Sequence, residues 1–216
     1  MQVTEFKMFV SLVVQDDDTV KIHFLRAKRP HGLRSTRDLT DVKRREFFNV
    51  EHMGGANSGL CEKHQRNMIE LGTGHPCPKT RNVRINTETL EMKSCPQNVY
   101  TSTVERKGSY DWTESFDGVQ HIDGTCTWYN LKSITGAGGN QIRSMKCVYE
   151  MVKAQRELIN RNKVDSNVFF VNILDGKYGC ENTDKFDHLV GDDSRIYVGE
   201  LFNYFEWFNS RLENML

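Results

Sequence analysis

The chain has 216 residues, with 29 Lys and Arg against 29 Asp and Glu, so its formal net charge is zero. That length allows one substantial core, or one core with a small appendage. Neutrality excludes a global field that would draw the whole chain to nucleic acid or membrane, and no apolar run approaches membrane-spanning length.

Charge is nevertheless segregated. Arg26, Lys28, Arg29, Arg34, Arg37, Lys43, Arg44 and Arg45 face only Asp38 and Asp41 in one segment, while Glu181, Asp184, Asp187, Asp192 and Asp193 face Lys185 in another. Each run reads as a solvated face or, for the basic one, as a surface for a polyanion. Met8 to Val14 is apolar but too short for a signal peptide, and it lacks a basic flank and a small-residue cleavage site. The six scattered cysteines read as reduced thiols. These features give an expectation of an intracellular protein without a membrane partner.

In chain order, Lys7 to Val14 and Thr19 to Phe24 read as a hairpin around Asp16-Asp17-Asp18. Asp41 to Phe48 is a short helix, and Leu60 to Leu71 is a helix bracketed by glycines. Residues 72–108 hold Pro76, Pro78 and Pro96 and read as loops with one or two short strands. Tyr110 to Phe116 is expected to be a strand, Val119 to Gly124 a turn, and Thr125 to Lys132 a second strand of aromatic and β-branched type. Ile142, Met145, Tyr149, Val152 and Ile159 recur at helical spacing from Asn140, the expected N-cap, to about Asn160. Val168 to Leu174 is an almost unbroken apolar strand that ends at an Asp175-Gly176-Lys177 turn. Arg195 to Val198 is a final strand, followed by an apolar helix from Glu200 to Leu212.

This order indicates an α/β fold, a mixed central β-sheet flanked by helices. Residues 1–108 read as an N-terminal elaboration and 109–216 as the core, the whole forming one compact domain. The aromatic residues of the last helix (Phe202, Tyr204, Phe205, Trp207 and Phe208) read as core, with a dimer contact as the alternative.

Chemistry concentrates at the strand ends. Glu114 and Asp117 lie in or beside the first strand of the expected 110–132 hairpin, while Asn130 and Lys132, two apart, share a face of the second. Two carboxylates with a lysine suit metal-assisted phosphodiester hydrolysis. Mg²⁺ takes oxygen ligands and keeps waters, and a lysine can orient the nucleophile and offset negative charge. Glu114 lies three residues from Asp117, so in an ideal strand it needs a bulge or a strand end to converge. Glu150 on the 140–160 helix is an alternative acid, although it shares a polar stripe with Arg143, Lys146, Lys153 and Glu157.

Three features together resemble the PD-(D/E)xK nuclease superfamily, and within it the smaller type II restriction endonucleases, over residues 109–216. They are Asp117 with Asn130-Leu131-Lys132, the Gly138-Gly139 entry into "NQIRSMKCVYEMVKAQ", and "VFFVNILDGKYG" followed by "RIYVGELFNYFEWF". The chain departs from that family by carrying Asn130 where it has Asp or Glu. The resemblance implies a restriction-endonuclease-like core cutting double-stranded DNA with one or two Mg²⁺ ions, leaving 5′-phosphates, as a homodimer if the target is palindromic. It implies Asp117, Asn130 and Glu114 as metal ligands and Lys132 as the catalytic lysine, with Glu114 or Glu150 supplying the charge that Asn130 lacks. DNA contacts are expected from Arg26, Lys28, Arg29, Arg34, Arg37, Asn140, Gln141 and Arg143. A non-catalytic DNA-binding descendant and a DNA repair or processing nuclease are the alternatives. Cys61, His64, His75, Cys77 and Cys95 have irregular spacing, so a structural zinc is not expected.

Overall fold

A computed structural model describes residues 10–14, 20–24, 36–53, 57, 59–95 and 111–215. The chain divides into two compact units, residues 1–34 and 35–216. In the first, β1 (Val10–Val14) and β2 (Val20–Phe24) pair antiparallel with Val14 opposite Val20, which is the expected hairpin. The division falls after Arg34, so residues 35–95 share a unit with the C-terminal half, whereas the change in composition lies near residue 108.

The second unit opens with a 3-10 turn at Thr36–Asp38 and α1 (Asp41–Phe48). Thr40 caps α1 by accepting the Lys43 N–H, and Asn49 ends it in the left-handed region. α2 (Leu60–Thr73) buries Gln65, Met68, Ile69 and Gly72, a stripe at helical spacing. β3 (Val83–Ile85) and β4 (Met92–Ser94) form a small antiparallel pair.

The next segment departs from expectation. Residues 111–117 form no strand, apart from a bridge between Trp112 and Asn86. They are instead tied to β3 through Thr113 N–H to the Ile85 carbonyl and Phe116 N–H to the Val83 carbonyl, both 2.9 Å. The strand is β5 (Gly118–Ile122), where a turn was expected, and it pairs antiparallel with β6 (Thr125–Ser133). The turn itself is only Asp123-Gly124, with φ of 46° and 80°. Two consecutive positive φ values make the tight hairpin turn for which Asp-Gly is suited.

After β6 come α3 (Gly139–Asn160), β7 (Val168–Asp175), the short helices α4 (Lys177–Cys180) and α5 (Asp187–Val190), β8 (Ile196–Gly199) and α6 (Leu201–Met215). The α3 N-cap is Gly138 rather than Asn140, which lies inside the first turn, and Ile142 of the expected apolar stripe is 39% exposed. The sheet order is β5-β6-β7-β8, with β5 antiparallel to β6 and the other two pairs parallel. The fold is therefore a mixed α/β sheet with helices on both faces.

Each face follows from the alternation along β6 and β7. Trp128 and Phe170 join Phe116 in a ring stack beneath α3, whose Val148, Met151, Val152 and Leu158 fill that side. Tyr129 turns the other way, its hydroxyl donating to Gln120 Oε1 and lying 2.7 Å from the Tyr204 hydroxyl of α6. Tyr204 is fully buried and Phe205 lies against Gly72 of α2, so α6 spends those aromatics on this unit's own core. Among the described residues no helix is long and apolar enough to cross a membrane.

Gly176 joins β7 to α4 with φ of 96°, and a methyl group added there would meet the Ile134 carbonyl oxygen at 2.8 Å. Gly176→Ala is expected to lower folding stability by about 1–3 kcal/mol, read as a shifted urea midpoint with an unchanged slope.

Candidate active site

The end of the β5–β6 hairpin gathers the charge. Gly118 pairs with Tyr129, so Asp117 lies one step beyond the last ladder pair, level with Asn130. Its N–H donates to the Tyr129 carbonyl at 2.7 Å, and its carboxylate Oδ2 accepts the Leu131 N–H at 2.8 Å. The Lys132 ammonium lies 3.6 Å from that Oδ2 and 3.0 Å from Glu114 Oε2. Because residues 111–117 are not a regular strand, Glu114 and Asp117 are freed from period-two alternation, and both reach the same lysine.

A third acid comes from α2. Glu62, in its first turn, interacts electrostatically with both Asp117 and Lys132. Burial raises the Glu62 carboxyl above its ordinary range and the Asp117 charge adds to this, while Lys132, Lys79 and Arg66 oppose it. Asp117 is likewise raised, first by burial and then by Glu114, against the pull of Lys132 and the Leu131 N–H. Burial works against the Lys132 charge, but Asp117, Glu114 and Glu62 outweigh it, and the ammonium holds its proton above the usual lysine range.

Asn130 is 1% exposed and is held in an amide cluster. Its Nδ2 donates to Asn172 Oδ1 at 3.2 Å, Gln155 Nε2 of α3 donates to the same oxygen, and Asn172 Nδ2 returns a bond to Gln155 Oε1 at 2.8 Å. Asn130 Oδ1 is buried with no hydrogen-bond partner. A neutral amide oxygen can serve as a ligand for a hard cation, but it adds no charge.

Glu150 is exposed on α3 and is not among the acids acting on Lys132, so Glu62 supplies the third carboxylate instead. Among the described residues no three His, Cys, Asp or Glu side chains are grouped to hold a metal ion, and Glu114 and Asp117 close on Lys132. The donor chemistry of Glu114 and Asp117 still fits Mg²⁺, which needs only one or two carboxylates plus phosphate oxygens and waters.

Arg26, Lys28, Arg29 and Arg34 lie outside the described residues. Arg37 is exposed on the 3-10 turn, and Asn140 and Arg143 are exposed at the start of α3. Gln141 is used locally, its Oε1 accepting the Gly136 N–H at 2.7 Å and its Nε2 donating to Thr135. His64 packs edge-on against Phe47 and Phe48, and burial lowers its basicity, so it belongs to an aromatic cluster.

Sequence reasoning missed a second polar cluster beside the first. Asp175 ends β7, and its Oδ1 accepts the Leu201 N–H at the start of α6 at 3.0 Å. Gln65 donates to its Oδ2 at 2.8 Å. Thr36 donates through both N–H and hydroxyl to Glu200 Oε2, and its hydroxyl lies 3.2 Å from Cys180 Sγ. The only signal in the sequence was a carboxylate closing an apolar strand immediately before glycine.

The chain matches no protein-family model, no curated protein and no solved structure.

Burial raises Asp175 to about 6, with Glu200 adding to the rise and the Leu201, Gln65 and Thr36 donors opposing it. A carboxyl whose folded value lies above its unfolded one favours the folded state while protonated. Its contribution is therefore greatest below about pH 4 and falls until the pH passes about 6. The shift corresponds to roughly 3 kcal/mol. Subtracting the stability–pH curve of Asp175→Asn from that of the native protein is expected to leave this falling step between pH 4 and 6, measured by urea unfolding.

Proposed function

We propose that this chain is a Mg²⁺-dependent endonuclease that hydrolyses phosphodiester bonds of double-stranded DNA, with sequence specificity in the manner of type II restriction enzymes. One observation carries the reading: a largely buried lysine ammonium held 3.0 Å from Glu114 and 3.6 Å from Asp117 at the end of a two-stranded hairpin. A surface lysine would have water there. This one is instead pre-positioned among carboxylates, at the place where a phosphate and its nucleophile would need a cation.

Asp117 and Glu114 are the ligands assigned to Mg²⁺, with Asn130 Oδ1 as the neutral third donor. When bound, the ion polarises a phosphoryl oxygen and offsets charge on the leaving group. Asp117 holds its orientation through the Leu131 N–H. With the ion held by Asp117 and Glu114, Lys132 would donate hydrogen bonds to the attacking water and the phosphate, and the Glu62 carboxylate would favour its protonated form.

The exposed Arg37, Asn140 and Arg143, with the basic segment from Arg26 to Arg34, are assigned to the DNA backbone. The loops between residues 28 and 108 are assigned to base reading, and a two-fold dimer to palindromic sites. The intracellular location goes with that substrate.

A second reading has its own support. Asn130 is fully committed to burial beside Asn172, which fits a DNA-binding descendant that has lost a catalytic acid. Incubating the purified protein with a mixed-sequence plasmid, in Mg²⁺ or in EDTA, separates the two. Discrete fragments that need Mg²⁺ are expected, with Lys132→Ala, Asp117→Asn and Glu62→Gln each slowing cleavage about 100-fold or more. A smear in place of bands would indicate a processing nuclease. Intact plasmid with a retained gel shift would favour the non-catalytic reading.

A further inference from the structure

The two polar clusters meet at one side chain. Gln65 of α2 is 2% exposed, and its Nε2 donates both to the Lys132 backbone carbonyl, at 3.1 Å, and to Asp175 Oδ2, at 2.8 Å. Its two N–H bonds are thereby used on the exit of β6 and the exit of β7. Gln65 also lies one helical turn after Glu62, so both project from the same side of α2. Asp175 in turn fixes the start of α6 through the Leu201 N–H.

The amide has only one orientation that serves both acceptors. Turning it would set Oε1 against a carbonyl and a carboxylate and leave the buried Lys132 oxygen without this donor. Gln65 Oε1 has no partner in its present position, so the orientation is held by the two donated bonds alone. The charged groups around Asp175 are consistent with that geometry. Glu200, the Cys180 thiol, Tyr197 of β8 and the Cys61 thiol of α2 are all within electrostatic reach of Asp175. Arg44 of α1 donates to the Ser133 carbonyl at 3.0 Å, next along the same strand.

We propose that Gln65 is the positioning residue of the candidate active site: by bonding the Lys132 carbonyl and the Asp175 carboxylate together, it sets where the Lys132 ammonium and Glu62 stand relative to Asp117. This rests on the reading of Lys132 as the working cation of that site. Gln65 touches neither phosphate nor water in this scheme. It acts through the backbone of Lys132 and through the register of α2 on the sheet. A misplacement of about 1 Å at a reacting group can cost on the order of 100-fold in rate, so a clamp at this carbonyl has leverage.

The test uses the full chain with Gln65→Met, which keeps the shape and removes both donors, and Gln65→Glu, which keeps the shape and, when protonated, one donor. Two readouts are taken, cleavage kinetics and the Nζ–H signal of Lys132 in a lysine ammonium NMR spectrum at one fixed pH. That signal is assigned by its loss in Lys132→Met. Cleavage should fall about 100-fold in kcat for Gln65→Met with KM within two-fold, and less for Gln65→Glu. The Lys132 signal should broaden or vanish in Gln65→Met while the remaining spectrum stays folded. An unchanged Lys132 signal in a folded variant overturns the proposal, as does a loss carried by KM alone. If the native protein cuts no DNA, the nuclease reading fails and the ammonium signal alone decides the positioning role. If Gln65→Met does not fold, Gln65→Glu decides by the same two readouts.

Discussion

The second unit is organised around one electrostatic constraint, an ammonium taken largely out of water beside two carboxylates. Removing either charge type from water costs several kcal/mol per ion, and their mutual attraction offsets this only when geometry and extra hydrogen bonds are good. The structure supplies both. The Leu131 N–H holds Asp117 at 2.8 Å, and Glu114 approaches Lys132 to 3.0 Å. β5 pairs only from Gly118 onward while β6 runs on to Ser133 against β7, and the Leu131 N–H is taken by the Asp117 carboxylate.

That constraint explains why the neighbouring residues are polar where packing alone would favour apolar ones. Asn130 and Asn172 of the sheet meet Gln155 of α3 amid a hydrophobic layer, and they satisfy each other except at one oxygen. Gln65 and Asp175 do the corresponding work on the opposite side. Buried amides and acids of this kind contribute little net stability, since each bond formed replaces one to water. They restrict the arrangement instead, because any shifted register would strand a buried donor or acceptor.

Much of the architecture was legible, and the reasons are local. Val168 to Leu174 announced a buried strand by apolarity broken only at Asn172, and Met145, Val152 and Ile159 announced α3 by spacing. Asn130 and Lys132 were legible on one face because strand alternation fixes which residues share a face, and Asp117 was joined to them by the family resemblance. The hairpin itself was misplaced. Tyr110 to Phe116 looks strand-like from its alternation, yet residues 111–117 bond to β3 without a ladder, and the Asp123-Gly124 turn was the stronger local signal. Glu62 and Gln65 were hidden for another reason. An acid in a first helical turn has an ordinary explanation in the helix dipole, and a glutamine on a helix carries no directional signal until its partners are known. Glu150, by contrast, was brought forward by the family resemblance, and it lies exposed on α3, as its polar stripe at helical spacing allowed.

The tightness of the Asp123-Gly124 turn also sets an order of events in folding. Asp117 and Lys132 lie fifteen positions apart in the chain, and a two-residue loop brings them together on the microsecond scale typical of hairpins. The Gln65 bond to the Lys132 carbonyl spans 67 residues, and the parallel partners of β6 must wait for α3 to cross over. Contacts of that separation carry a larger loop-closure cost and form later. The charges therefore converge while the chain is still open to water. Their desolvation is deferred until α2 packs against β6, so the most costly step of burial falls on a geometry already assembled.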